Sequence, residues 1–289
     1  MTLEEAYSEG CRILRENNIA DAKVDAGWLL FDVCGIDKGY LLAHGNEEVN
    51  ITCGNNRENR YFAMVRKRSE HIPLQHILGY TEFMGLRFDV DANVLVPRQD
   101  TEILVEEALK CVHDGMKILD LCTGSGCILL SLLNYSNDCT GTGSDISDAA
   151  LSVAEKNAER LLANRDDVHC EFVRSDVFSD IKGQFDIIVS NPPYIKSDVI
   201  KELDIEVREH DPRIALDGGK SGLDFYERIT DGLKDHLLPG GVVLFEIGYD
   251  QGNAVSDMLS QKGYKDIRVI RDYSGNDRVV RGVRSCLIN

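Results

Sequence analysis

Apolar residues recur at helical spacing through roughly the first 70 positions and at mixed strand and helix spacing beyond them. Leu3, Tyr7, Cys11 and Leu14 fall on one stripe, Val24, Trp28 and Phe31 on a second, and Tyr61 with Met64 or Val65 on a third. Asn17-Asn18 and Cys53-Gly54-Asn55-Asn56 punctuate these runs as breaks between helices. The pattern predicts a small helical domain over 1–73. From about Leu74 to Leu95 the text becomes strand-like, and "HILGYTEFMGLRFDVDANVLV" with its glycine and Asp-Ala-Asn turn signals predicts a β-hairpin linker over 74–96.

Beyond Pro97 the two periods alternate. A helix is predicted near 100–112, a strand in "MKILDLC", a helix near 126–135, a strand near 139–145 and a helix near 148–162. The strands "CEFVRSD" and "FDIIVS", a polar insert, a helix near 223–237, the strand "GVVLFEIG", a helix near 252–261 and two closing strands follow. Such alternation predicts an α/β domain over 97–289, a mostly parallel sheet with helices on both faces. Ligands of such sheets sit beyond the carboxyl ends of the strands, so the strand tips are where chemistry is sought. No internal repeat or low-complexity tract interrupts the series.

Three strand tips in succession carry ligand-type residues. "ILDLCTGSGCILL" is a strand, a glycine turn and a helix start, in which Gly124 and Gly126 permit close approach of a ligand. Leu129 stands where a dinucleotide fingerprint needs its third glycine, which disfavours a nicotinamide cofactor. Asp145 ends the second strand, placed to accept from both hydroxyls of an adenosine ribose, whereas Ser147 or Asp148 serves better as cap of the next helix. Asp176 ends the third, within reach of an adenine amino group, with Val177 set to pack on the ring. Asp120 reads as an organiser of the glycine loop or simply as a strand-end acid, the former being preferred.

The fourth tip, "DIIVSNPPYI", stops a buried strand at Asn191-Pro192-Pro193-Tyr194. Two prolines fix two φ angles and remove two donors, leaving stiff backbone carbonyls and an amide oxygen as acceptors. Asn before Pro also starts ordinary turns, and only the upstream tips give this one chemical weight.

Bulk properties narrow the partner. The formal net charge of −17 lacks the basic surface that grips nucleic acid, Arg66-Lys67-Arg68 being the densest basic cluster. No apolar run approaches the roughly 20 residues a membrane span requires. The acidic start "MTLEEAYSEG" is no signal peptide. The 9 cysteines are scattered and never spaced C-x-x-C, which points to reduced thiols in a cytosol and to no zinc site. The seven histidines lack ligand spacing, so no metal is expected.

With "PLQHILGYTEFMGLRF", "VLVPRQDTEILVEEAL", "ILDLCTGSG", "IVSNPPYI", "DPRIALDGGKSGLDFYERI" and "RDYSGNDRVVRG" all present, the chain resembles the class I S-adenosylmethionine-dependent methyltransferases. It is most similar to the protein-(glutamine-N5) methyltransferases of peptide chain release factors, the HemK/PrmC family, over nearly its whole length. The resemblance implies a Rossmann-like domain whose seven-stranded sheet is mostly parallel. It implies S-adenosyl-L-methionine as cofactor, S-adenosyl-L-homocysteine as product, and methyl transfer to the glutamine of a Gly-Gly-Gln tripeptide. Asn191, Pro192, Pro193 and Tyr194 are then the catalytic and substrate-binding residues. Asp120, Cys122, Thr123, Gly124, Ser125, Gly126, Asp145, Asp176, Val177 and Asn191 are the cofactor-binding set. Many relatives carry glycine where Cys122 stands, which this chain tolerates if the turn there keeps a negative φ. The "VPRQDTE" segment is expected to close over cofactor and substrate, with Thr101 and Glu102 otherwise plain helix-start residues. The helical domain is expected to dock the protein partner, in a cytoplasmic monomer. A ribosomal-protein glutamine and an adenine-N6 amino group are the alternative acceptors. The acidic balance, the lack of a basic recognition domain and the "DPRIALDGG" insert favour protein over nucleic acid.

Overall fold

The computed structural model describes residues 1–286. It parts into two compact units, Met1–Gly79 with Asp204–His210, and Tyr80–Leu203 with the residues from Asp211 onward.

The first unit is helical. Its longer helices, Leu3–Glu16, Ala22–Cys34 and Arg57–Ser69, are joined by shorter ones at Lys38–His44, Val49–Thr52 and Leu74–Leu78. Thr2 caps the first helix in a reciprocal capping box with Glu5, satisfying two N–H groups that no helical carbonyl reaches. Leu3, Cys11 and Leu14 are buried as the first stripe predicts, together with Tyr61, Met64 and Val65. The second stripe is corrected. Val24 and Trp28 lie exposed, while Ala26, Leu29, Leu30 and Val33 of the same helix fill the core. That helix is apolar on both faces, so spacing alone does not choose which one packs. Arg68 is buried and forms ion pairs with Asp25 at 2.6 Å and with Glu206 of the returning segment at 2.5 Å.

The expectation of reduced thiols is also corrected at one pair. Cys34 and Cys53 form a disulfide with Cα atoms 4.6 Å apart, and the other seven cysteines are free. The turn after the Val49–Thr52 helix brings Cys53 onto the end of the second helix, a juxtaposition that a 19-residue separation does not signal.

The second unit opens with a hairpin, β1 (Tyr80–Phe83) and β2 (Leu86–Asp89). The predicted linker is thus shorter than the strand-like text, because 74–78 form a helical turn closed by Gly79 in the left-handed region. Then β3 (Lys117–Leu121), β4 (Thr140–Asp145), β5 (His169–Arg174), β6 (Phe185–Ser190), β7 (Leu237–Glu246), β8 (Lys265–Arg271) and β9 (Asp277–Val283) build one sheet in the order β5-β4-β3-β6-β7-β9-β8. The first five of these strands run parallel, and β9 is antiparallel to both β7 and β8. The mostly parallel seven-stranded sheet expected from the sequence is therefore present. Apolar side chains of β3, β6 and β7 fill the cores against helices such as Cys127–Asn134 on one face and Asp224–His236 on the other. Strand order reverses between β3 and β6, which makes their carboxyl ends the topological switch point. Among the described residues no helix is long and apolar enough to cross a membrane.

Candidate active site

A cavity of about 310 Å³ opens at that switch point, within the range of roughly 300–1,000 Å³ usual for small-molecule sites. It is bordered by the tips of β3 to β6 in turn: Cys122, Thr123, Gly124 and Ser125, then Asp145, then Asp176 and Val177, then Asn191 and Pro193. Residues 93–95, Pro97, Arg98 and Thr101 close one side, and Pro212, Ile214 and Ala215 of the polar insert another.

The glycine turn is held from beneath. Asp120 is wholly buried, its Oδ2 accepting from the Thr123 hydroxyl at 2.6 Å while its Oδ1 meets no partner. Burial pushes this carboxyl up to about 7. Asp120 and Gly126 do not border the cavity; they support those residues that do. Asp145 accepts from the Gly124 N–H at 3.0 Å through Oδ2 and from the Ser147 N–H at 3.0 Å through Oδ1. Ser147 is the cap of the following helix, as its position suggests, and Asp145 fixes the turns on either side. Each oxygen keeps a lone pair for a ligand hydroxyl. Asp176 pairs with Arg228 at 2.6 Å, whose guanidinium lies 5.5 Å from the Phe225 ring; Arg228 and Phe225 both border the cavity.

Two bordering residues carry strain. Cys122 has φ 61°, so the condition of a negative φ is not met: the backbone sits where glycine is comfortable and a side chain costs about 1–2 kcal/mol. Val177, β-branched, has φ 57°. Such outliers concentrate where surrounding structure overrides local preference, and both lie on this one cavity.

The Asn-Pro-Pro-Tyr corner is clamped rather than merely stiff. Asn191 Nδ2 donates to the Thr101 hydroxyl oxygen at 3.4 Å. The Tyr194 carbonyl accepts from Gln251 Nε2 at 3.0 Å, and the same nitrogen donates to the Gly222 carbonyl. The insert lies against the corner through Ile195, which exchanges backbone bonds with Leu216 and Gly218. Glycine is required there, since a Cβ at 218 would lie 2.7 Å from both the Pro193 oxygen and the Tyr194 Cα. Pro192 and Tyr194 do not border the cavity. The Tyr194 hydroxyl turns inward and donates to Glu246 Oε1 at 3.3 Å, and burial raises its pKa well above the ordinary tyrosine value.

Ion pairs anchor the segments around it. Arg98 reaches Asp211 at 3.0 Å, joining "PRQDTE" to "DPRIALDGG", and Arg278 reaches both Asp100 and Asp272 at 3.1 Å. Sequence reading missed Arg228, Gln251, Glu246 and Arg278. Of these, Glu246 carried a usable signal, an acid ending an otherwise apolar strand in "VVLFEIG".

Residues 97–207, which hold β3 to β6 and most of the cavity's border, match the methyltransferase small domain family, so the chain is a methyltransferase. A methyltransferase from Pyrococcus furiosus aligns over 70% of this chain and 91% of its own, with a TM-score of 0.52 at 21% identity, and so shares the fold. Residues 5–79 match the PrmC N-terminal domain family. The release factor glutamine methyltransferase of Agrobacterium fabrum is 41% identical over 92% of this chain and 92% of its own, and that of Clostridium acetobutylicum 38% over 99% and 100%. The chain belongs to the release factor glutamine methyltransferase family.

Proposed function

We propose that the chain methylates the side-chain N5 of the glutamine in the Gly-Gly-Gln tripeptide of peptide chain release factors, using S-adenosyl-L-methionine and leaving S-adenosyl-L-homocysteine. One observation carries the reading: Asn191 and Pro193 border the same cavity as Gly124, Asp145 and Asp176. Acceptors for an NH2 group thus adjoin a site suited to an adenosine. The residues fit such a cofactor. The Thr123-Gly124-Ser125 turn gives backbone room, Asp145 has lone pairs left for ribose hydroxyls, and Asp176 with Val177 would meet the adenine. Once bound, the cofactor's sulfonium supplies an electrophilic methyl carbon.

The chain's own task is then to make an amide nitrogen react. That nitrogen is a poor nucleophile because its lone pair is delocalised into the carbonyl. Asn191 Oδ1, on the cavity, is assigned to accept from its N–H groups as it pyramidalises, and Pro192, set back from the cavity, stiffens the corner that carries it. Transfer would form the nitrogen–carbon bond as the carbon–sulfur bond broke, its electron pair staying on sulfur, and the amide would release one N–H proton to solvent. Tyr194 braces the corner through its hydroxyl on Glu246 and its carbonyl on Gln251. Orientation of this kind contributes up to about 7–11 kcal/mol of barrier lowering. The helical unit, with Val24 and Trp28 exposed, is assigned to docking the protein substrate, and the cytoplasm to the place of reaction.

The test incubates the protein with methyl-labelled S-adenosylmethionine and, separately, a release factor, its Gly-Gly-Gln glutamine-to-alanine variant, ribosomal proteins and DNA. Label is expected in the intact release factor and not in the alanine variant. Label confined to ribosomal protein or DNA would refute the assignment.

A further inference from the structure

Glu246, at the carboxyl end of β7, is 2% exposed and lies behind the corner that holds Asn191 and Tyr194. Its Oε1 accepts from the Tyr194 hydroxyl at 3.3 Å, and its backbone carbonyl accepts from the Tyr226 hydroxyl at 2.7 Å. Its Oε2 is buried and meets no group at ordinary hydrogen-bond distance and angle, while the Thr101 hydroxyl lies near enough to favour the ionised form. Thr101 is itself 2% exposed, and its oxygen accepts from Asn191 Nδ2.

We propose that Glu246 is a positioning residue that sets, through Thr101, which end of the Asn191 amide faces the substrate. In this arrangement the Thr101 O–H is assigned as donor to the otherwise unpartnered Oε2, because an ionised carboxylate only accepts. The hydroxyl oxygen is then left to accept, and it takes the Asn191 N–H. Oδ1 of Asn191 is thereby turned away from Thr101, as an acceptor for the substrate NH2 group. Protonating Glu246 reverses the order: its O–H donates to Thr101, the Thr101 O–H seeks Asn191 Oδ1, and the amide presents NH2 where an acceptor is required. The 3.4 Å and 3.3 Å bonds are long, as catalytic contacts often are before substrate tightens them.

The carboxylate is poised to make this matter. Burial pushes it up to about 7; Thr101, Arg278 and Tyr194 hold it down and Asp100 raises it, while Tyr226 and Cys127 also face it. The relay rests on Asn191 being the acceptor of the proposed function, but its test does not need methyl transfer. In protein labelled with 15N-asparagine, the Asn191 side-chain amide signals are identified by their loss in Asn191→Ala. They are expected to shift with pH with a midpoint near 7, and to stay flat in Glu246→Gln and in Thr101→Val. Thr101→Ser, which keeps the hydroxyl, is expected to restore the titration. With a release factor as substrate, kcat in Thr101→Val should fall about 100-fold, the scale of losing one preorganised hydrogen-bonding group, and recover in Thr101→Ser. Should Glu246→Gln not fold, the Thr101 pair decides alone. Amide signals that do not titrate in the wild type, or that titrate equally in Thr101→Val, overturn the relay. No transfer to release factor in the wild type, with the titration intact, instead overturns the proposed substrate.

Discussion

Cys122 and Asp120 show how single residues of the glycine turn after β3 are set by their surroundings. Cys122 occupies the left-handed region at φ 61°, so its side chain is carried at a cost the rest of the turn offsets. Cys122→Gly is expected to keep or raise stability, by up to about 1 kcal/mol in urea unfolding, since relief of strain outweighs the added freedom of the unfolded chain. A loss beyond about 1 kcal/mol would show that the thiol's packing matters more than its backbone. Asp120 poses a question of charge. Its folded pKa of about 7 lies above the ordinary 3.8, so its protonated form stabilises the fold below about pH 4 and that contribution is lost as pH rises through 7. Asp120→Asn is neutral throughout. Its stability relative to wild type is therefore expected to rise by about 2–3 kcal/mol between pH 5 and pH 8, read from urea midpoints at the two values. An offset that does not change with pH would mean Asp120 is not held as an acid.

Among elements, the polar insert after β6 did most that its sequence concealed. "DPRIALDGG" reads as loop, yet Ile195 pairs with it through the backbone and Gly218 lies against Pro193 and Tyr194. Gly218→Ala is expected to destabilise by about 1–3 kcal/mol, the usual cost of overpacking, and to lower turnover because the corner must move. Unfolding and rate measurements both at wild-type values would remove the clamp. The strands were readable for a plain reason: buried parallel strands are continuous apolar runs, and the ligand-type residues stood at their ends. Asp145, Asp176 and Asn191, each legible at such an end, border one cavity. What could not be read depends on distance in sequence. Thr101 passes for a helix start until Asn191, ninety positions on, is seen to donate to it. The packed face of the Ala22–Cys34 helix was equally illegible, since Val24 and Trp28 are as apolar as the Leu29 and Leu30 that fill the core.

Across the whole molecule, chain order and space diverge in two places that local pattern does not announce. Residues 204–210 leave one compact unit for the other, where Glu206 meets Arg68. In the catalytic unit, segments as far apart as 98–101, 191–194, 211–222, 246–251 and 272–278 gather about the end of β6, tied by Arg98–Asp211, Asp100–Arg278–Asp272 and Gln251. Such convergence is what a poor nucleophile demands, because orientation must supply what basicity does not. The proposed function also separates binding from chemistry: the tips of β3 to β5, assigned to the adenosine, are distinct from the corner after β6, assigned to the substrate amide. Asn191→Ala tests that separation most directly, with cofactor affinity measured by calorimetry and turnover on a release factor measured in parallel. Affinity is expected to stay within about 5-fold while kcat falls about 100- to 1,000-fold, as for loss of one preorganised hydrogen-bonding group. Turnover within about 2-fold of wild type would contradict the role given to the corner, whatever the affinity.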